Sequence, residues 1–145
     1  MRVNPLVLAA ALAIPTGAAA HVTVWPKEAP AGAHQKYDLR VPNEKKVDTI
    51  AVEVRFPPGL KVVAFEQKPG WMTEPVRDAK GAFTSARWTG HLAPQQFVEF
   101  GVLAVNPPSA TDLSWTAIQS FADGTQIEWS GTPGSKTPAP RVTVR

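Results

Sequence analysis

The sequence predicts an all-β fold: a single antiparallel β-sandwich, immunoglobulin- or fibronectin III-like, that follows an N-terminal signal peptide. Three observations predict this class. Short segments rich in strand-forming residues recur along the chain, turn residues separate them at short intervals, and no segment has a helical period of apolar residues. The 15 prolines and 10 glycines favour many short elements joined by tight turns.

The predicted strands end at turn signals. Thr49–Phe56 is the clearest, because apolar residues occupy every second position from Ile50, which places Thr49 on the solvent face. Phe97–Val105 is apolar on both faces, which is typical of a central strand. The other predicted strands before the last hairpin are His21–Trp25, Tyr37–Val41, Lys61–Glu66, Trp71–Val76 and Ala82–Thr89.

The last hairpin is predicted from its turn. Leu113–Ser120 and Gln126–Ser130 flank Asp123-Gly124, a dipeptide favoured in type I′ turns. Counting back from this turn pairs Trp129 with Ile118, a position where a buried tryptophan is ordinary sandwich core. A final strand, Arg141–Arg145, is predicted to close a sheet edge.

Residues 1–20 have the features of a signal peptide. Arg2 gives a positive start, Leu6–Ile14 is apolar, and Ala18 and Ala20 are the small residues that signal peptidase requires. The apolar run is too short for a spanning helix, which needs about 20 residues. Cleavage after Ala20 makes His21 the first residue of a mature domain, residues 21–145; an uncleaved anchor or a shifted cut are the alternatives.

Composition narrows the chemistry of this exported domain. Processing removes Arg2 and lowers the formal charge from +3 to +2, a charge too small and too evenly spread for nucleic-acid binding. The chain has no cysteine, which excludes disulfides, lipidation, a blue-copper centre and a thiol nucleophile. No second apolar segment is long enough to span a membrane, so we expect no transmembrane anchor after processing. Nitrogen and oxygen ligands remain, and they suit Cu(II) or zinc.

A terminal histidine is itself a chelator. Its α-amine and its ring Nδ1 close a six-membered ring on one metal ion, and the ordinary amine pKa of about 7.7–8.0 lets a metal displace the proton near neutral pH. The two fixed nitrogens suit the tetragonal preference of Cu(II). If Ala20 stays attached, the amine of His21 is an amide and this chelate is lost.

Glu44 is the acid most easily brought to His21. His21 begins the first predicted strand and Glu44 follows the end of the second, so antiparallel pairing of these neighbours places the two side by side. A carboxylate there would partly neutralise a bound dication. The alternative is that Glu44, beside Lys45-Lys46, is a solvated turn residue.

These motifs resemble the YcnI-like copper-binding domain family. The resemblance rests on His21–Val24 and Tyr37–Glu44, with later agreement at Pro69–Trp71, Phe97–Val105 and Phe121–Gly131. It implies one Cu(II) per chain in a mono-histidine brace, with both nitrogens from the histidine, a carboxylate from the glutamate and a tryptophan packed near the metal. The matching positions are His21, Glu44 and Trp129. The resemblance also implies a periplasmic or cell-surface role in copper handling.

His34 and His91 lie in loop-like sequence, and we expect both to be exposed and without a metal. Copper oxygenases that cut polysaccharides need a second histidine, and neither candidate has an evident partner motif. Hydrolase and phosphate-loop motifs are absent as well. We therefore expect a periplasmic or secreted copper carrier that is not an enzyme and exchanges the ion with other copper-trafficking proteins. A copper-dependent oxidase or oxygenase, and a metal-free immunoglobulin-like interaction module, are the alternatives.

Overall fold

A computed structural model describes residues 20–145, so the predicted signal peptide lies outside the described residues apart from Ala20. Those residues form twelve strands and no helix, which confirms the all-β prediction. In the described part of the chain, no helix is long and apolar enough to cross a membrane. The strands are β1 Thr23–Trp25, β2 Glu28–Ala29, β3 His34–Pro42, β4 Thr49–Arg55, β5 Lys61–Phe65, β6 Met72–Arg77, β7 Phe83–Leu92, β8 Phe97–Val105, β9 Thr111–Ser114, β10 Thr116–Phe121, β11 Gln126–Trp129 and β12 Arg141–Val144.

The strands are arranged in two main sheets and a smaller one. The first sheet has the order β1-β3-β8-β5 and the second the order β11-β10-β4-β7-β6. A three-stranded sheet has the order β2-β12-β9. All pairings within the two main sheets are antiparallel. The prediction that Phe97–Val105 is a central strand is confirmed, since β8 lies between β3 and β5.

The core lies between the two main sheets, and aromatic rings fill it. Trp88 of β7 stacks on Phe100 of β8 with ring centroids 4.7 Å apart, which joins the second sheet to the first. Trp115 packs edge-on against Tyr37 and Phe56, at 5.5 and 5.8 Å. Offset and edge-on aromatic pairs of this kind add stability beyond the area they bury. These ring contacts join the two main sheets across the core.

Strand boundaries differ from the prediction where the chain changes sheet. The predicted strand Leu113–Ser120 is divided at Trp115, because β9 pairs with β12 in the small sheet while β10 pairs with β4 in the second main sheet. The Trp115 backbone N–H donates to Pro140 O at this crossing, and its ring turns into the core. The last strand, β12, lies between β2 and β9, so its predicted edge position is wrong.

Two details of the second sheet also differ. Thr49 is fully buried instead of solvent-facing, because a bulge between Thr49 and Ala51 shifts the alternation of side chains. The last hairpin forms as predicted, but not with a type I′ turn, which needs positive φ at both central residues. Only Gly124 has positive φ there, and its N–H donates to Phe121 O, as in a type I turn followed by a glycine bulge.

Candidate metal centre

Pairing of β1 with β3 places His21 beside the loop that carries Glu44. β1 and β3 are antiparallel, as predicted, with Thr23 opposite Arg40. Extending this register by two residues places His21 opposite Pro42, the last residue of β3. Glu44 follows two positions later, so the chain topology alone brings the first predicted ligand close to the second.

The Glu44 carboxylate reaches the backbone immediately before His21. Its Oε1 atom accepts a hydrogen bond of 2.7 Å from the Ala20 N–H. The Glu44 side chain is exposed and the His21 side chain is half-buried, so both are open to solvent in part. The carboxylate is thus directed at the peptide that the predicted signal-peptidase cut would remove.

The Trp129 ring lies against the ring of His21. Their centroids are 5.7 Å apart and the planes are inclined by 52°. Trp129 is buried and ends β11, where it pairs with Ala117 and not, as predicted, with Ile118. The one-residue difference in register follows from the glycine bulge in the hairpin turn, and it directs the indole toward the core end beside His21.

Glu44 and Trp129 line one small cleft, which we call the N-terminal cleft. Its lining comes from the start of the described chain, the loop after β3 and the β10–β11 hairpin. The lining residues are Ala20, Pro42, Glu44, Lys45, Gln119, Phe121, Ile127 and Trp129. Glu44 and Trp129 thus share this cleft, whereas His21 is not among its lining residues and meets it through its neighbour Ala20 and its contact with the Trp129 ring.

Asn43 fixes the loop on which Glu44 is carried. Its side chain is buried, and Nδ2 donates to the carbonyl oxygens of Val47 and Leu92, both at 2.9 Å. Its Oδ1 accepts from the Lys45 N–H at 3.0 Å, which closes an Asx turn around Glu44. Sequence reasoning did not identify Asn43, although an asparagine after a strand-ending proline is a recognisable turn signal.

Gln119 is a second residue that sequence reasoning missed. Its side chain is buried and donates through Nε2 to Pro42 O and to Thr49 Oγ1, at 2.9 and 2.8 Å. Its Oε1 accepts from the Trp129 indole N–H at 3.3 Å. The available signal was the alternation along β10, which turns Ala117, Gln119 and Phe121 to the same side.

The ammonium group of Lys45, which lines the cleft, is bound by the neighbouring hairpin turn. The Lys45 Nζ atom donates to Thr125 Oγ1 at 2.5 Å and lies 4.4 Å from the centre of the Phe121 ring. Hydrogen bonds from the Thr125 hydroxyl and backbone N–H keep the pKa of Asp123 below its ordinary value, and the charge of Lys45 adds to this effect. The ammonium group is therefore turned toward an ionised carboxylate in the hairpin turn.

Comparison with known proteins identifies the family. A family described as Domain of unknown function (DUF1775) matches residues 21–144. The chain belongs to this family. The copper-binding protein CutI of Bacillus subtilis (strain 168) is 32% identical to it, over 92% of this chain and 67% of CutI. The resemblance to the YcnI-like family is thereby confirmed.

Solved structures similar in fold to this DUF1775 chain confirm the sandwich class. An uncharacterized protein from Nocardia farcinica, with an immunoglobulin-like fold, superposes with a TM-score of 0.77 at 30% identity, covering 86% of this chain and 97% of the other. A cohesin module from a Clostridium perfringens family 33 glycoside hydrolase superposes with a TM-score of 0.57 at 11% identity, covering 86% and 96%. The second likeness concerns the fold alone.

Neither of the other two histidines of this DUF1775 domain lines the N-terminal cleft. His34 begins β3 and is exposed, whereas the cleft lies beyond the other end of that strand, at Pro42. His91 is 80% exposed, and its Nδ1 lies 3.6 Å from an oxygen of Asp48. Within residues 20–145, no three histidine, aspartate or glutamate side chains are grouped to hold a metal ion. The metal-ligand roles of His21 and Glu44 stay predictions.

Proposed function

We propose that this chain is an exported copper-binding protein that holds one Cu(II) through a processed N-terminal histidine and a glutamate. In this proposal it carries or buffers copper in the periplasm or outside the cell and is not an enzyme. The observation that carries the proposal is the hydrogen bond of 2.7 Å between the Glu44 carboxylate and the backbone nitrogen that precedes His21. The copper-binding relative CutI supports the choice of metal.

The donor atoms fit Cu(II) chemically. After cleavage, His21 would offer an amine and an imidazole nitrogen, and Glu44 would offer a carboxylate oxygen. Two nitrogens and one oxygen are borderline and hard donors of the kind that Cu(II) accepts. Contact with Trp129 restricts the His21 ring, and this favours one orientation of its nitrogen atoms. Bound copper is the cargo of the protein, and a partly exposed site allows its exchange.

Processing would change both predicted ligands at once. In the described chain the nitrogen of His21 belongs to a peptide bond, whose delocalised lone pair is a poor donor. The Ala20 N–H occupies the Glu44 carboxylate as well. Cleavage after Ala20 would create the amine and release the carboxylate, so the precursor should bind copper weakly and the mature protein tightly.

The test compares three forms of the protein in a Cu(II) titration. The first begins with a free amine at His21, the second has that amine acetylated, and the third begins at an acetylated Ala20. Acetylation of Ala20 is essential, because its own free amine would otherwise act as a new ligand beside His21. Both blocked forms lack the His21 amine, but only the form with Ala20 keeps the N–H that occupies the Glu44 carboxylate. Comparing the two therefore separates the effect of losing the amine from the effect of occupying Glu44.

We expect the mature form to bind one equivalent of Cu(II). Both blocked forms should bind more than about 100-fold more weakly, since losing a ligand costs more than losing an outer partner. Equal affinity of all three forms would overturn the role of the amine. Absence of stoichiometric binding by the mature form would favour the interaction module, and sustained product formation with peroxide or oxygen and a reductant would favour the enzyme.

The exported location has its own test. The signal-peptide features of residues 1–20 support it. Mass spectrometry of the protein recovered from the periplasm or medium should give His21 as the first residue. Any other first residue would remove the His21 amine from the predicted ligand set, because that nitrogen would then belong to a peptide bond or His21 itself would be lost.

A further inference from the structure

Gln119 is a buried polar side chain, and two of its three hydrogen bonds go to residues that line the N-terminal cleft. It is 1% exposed. Both Nε2 hydrogens have acceptors, Pro42 O and Thr49 Oγ1, and Oε1 accepts from the Trp129 indole N–H. The orientation of the amide is fixed by its partners, because an indole N–H can only donate and a backbone carbonyl can only accept.

These hydrogen bonds connect the two main sheets at the end where the N-terminal cleft lies. Gln119 and Trp129 belong to β10 and β11 of the second sheet, whereas Pro42 ends β3 of the first. Pro42 is two residues before Glu44, and Trp129 packs on the His21 ring. The Gln119 side chain therefore connects Pro42, which precedes Glu44, to Trp129, which contacts the His21 ring.

We propose that Gln119 is a positioning residue that sets the separation and orientation of His21 and Glu44. It acts by holding the indole of Trp129 at one end of its amide and the carbonyl of Pro42 at the other. The expected effect on copper binding rests on the proposed function. The expected effect on the Trp129 indole does not, because it is measured in the metal-free protein. Residues that contact the metal ligands and orient them, without binding the metal themselves, typically contribute a factor of about 10–100 in metal affinity.

Gln119→Met and Thr49→Val form a matched pair for the test. Methionine has nearly the length and volume of glutamine, so Gln119→Met removes three hydrogen bonds with little change in packing. Thr49→Val removes only the bond from the Gln119 amide to the hydroxyl, at an equally buried position. Both variants should lower stability, but only the first disconnects Trp129 and Pro42.

The experiment uses the mature protein beginning at His21 and three measurements. These are the denaturant midpoint, the Cu(II) dissociation constant and the indole ¹H–¹⁵N resonance of Trp129 in the metal-free protein. The Trp129 resonance is assigned by its absence in Trp129→Phe. We expect Gln119→Met to shift it and to weaken Cu(II) binding about tenfold, while Thr49→Val leaves both close to the wild-type values. An unshifted resonance, or the same copper affinity in both variants, would overturn the inference.

If Gln119→Met folds poorly, Trp129→Phe alone tests the bond to the indole, and where both variants fold a double variant tests whether the positioning acts through that bond. Trp129→Phe keeps an aromatic ring beside His21 but removes the N–H that bonds to Gln119. If the positioning acts through this bond, adding Gln119→Met to Trp129→Phe should cost less copper affinity than Gln119→Met costs alone. Additive losses would overturn it. If the wild-type protein binds no copper, the proposed function fails, and the indole resonance still decides whether Gln119 orients Trp129.

Discussion

Replacement of Asn43 by alanine should weaken the fold and, under the proposed function, Cu(II) binding as well. The side chain is buried, and its three hydrogen bonds reach Val47 O, Leu92 O and the Lys45 N–H. Alanine leaves these three backbone groups without their partner. The loop around Glu44 then loses the contacts that fix it to the end of β7.

The expected magnitude follows from the number of bonds lost. A net contribution of about 0.5–1.5 kcal/mol for each bond gives roughly 1.5–4.5 kcal/mol of lost unfolding free energy for Asn43→Ala. A looser Glu44 should also raise the Cu(II) dissociation constant of the mature protein about tenfold, which corresponds to about 1.4 kcal/mol. Urea unfolding at constant slope measures the first quantity, and Cu(II) titration measures the second.

Asn106→Ala is the matched control. Asn106 is a second buried asparagine, which accepts from the Tyr37 hydroxyl and donates to Pro30 O at 2.7 and 2.8 Å. It follows β8 at the opposite end of the β3–β8 pair from Asn43 and lies beside Ala33, roughly 33 Å away along ten residues of strand. Both variants should unfold more easily, but only Asn43→Ala should bind copper more weakly. Unchanged copper affinity in Asn43→Ala, or an equal loss in Asn106→Ala, would refute the reasoning.

Two further predictions concern Glu44 and Tyr37. Glu44→Gln removes a predicted ligand charge from an exposed side chain, so Cu(II) affinity should fall at least about tenfold while unfolding free energy stays within about 0.5 kcal/mol of wild type; unchanged affinity would exclude Glu44 as a ligand. Tyr37→Phe leaves Asn106 Oδ1 without its donor and should cost about 1–3 kcal/mol below pH 10. Burial raises the pKa of Tyr37, so the native state favours the neutral phenol, the form that donates to Asn106 Oδ1. The wild-type advantage over Tyr37→Phe should therefore be complete below about pH 10 and shrink as pH rises toward the native pKa. Urea unfolding at several pH values, with tyrosinate absorbance of the single tyrosine, checks this; a constant advantage at all pH values would contradict it.

The alternation of side chains and the turn residues were sufficient to predict most of the sandwich. Phe97–Val105 was recognisable as central because a strand covered on both sides must be apolar on both faces. The division of the predicted strand at Trp115 could not be predicted, because β9 and β10 both have strand-like sequence. The change of sheet depends on which neighbouring strands are free to pair. The burial of Thr49 depends on a bulge, which side-chain alternation does not indicate.

The candidate site was predictable to the extent that it depends on local sequence. His21 and Glu44 mark the start and the end of two neighbouring strands, and adjacency along the chain places them together. Asn43 and Gln119 could not be assigned in the same way, because a buried amide is defined by its distant partners. Gln119 bonds to residues 70 and 77 positions away, and no local pattern reports contacts of that range.

Under the proposed function, the predicted ligands differ in whether they need the folded state to bind copper. The mature chain would keep its terminal amine and imidazole when unfolded, so a two-nitrogen chelate exists in both states. A ligand that binds only the folded state at 100 times its dissociation constant adds about 2.7 kcal/mol to the unfolding free energy, and binding to the unfolded state reduces this gain. The gain observed with copper therefore measures what Glu44 and the packing of Trp129 add beyond the bare terminal chelate. Since Glu44 meets His21 only after β1 pairs with β3, Glu44→Gln should reduce this gain to the part that the packing of Trp129 contributes, even where some copper binding remains.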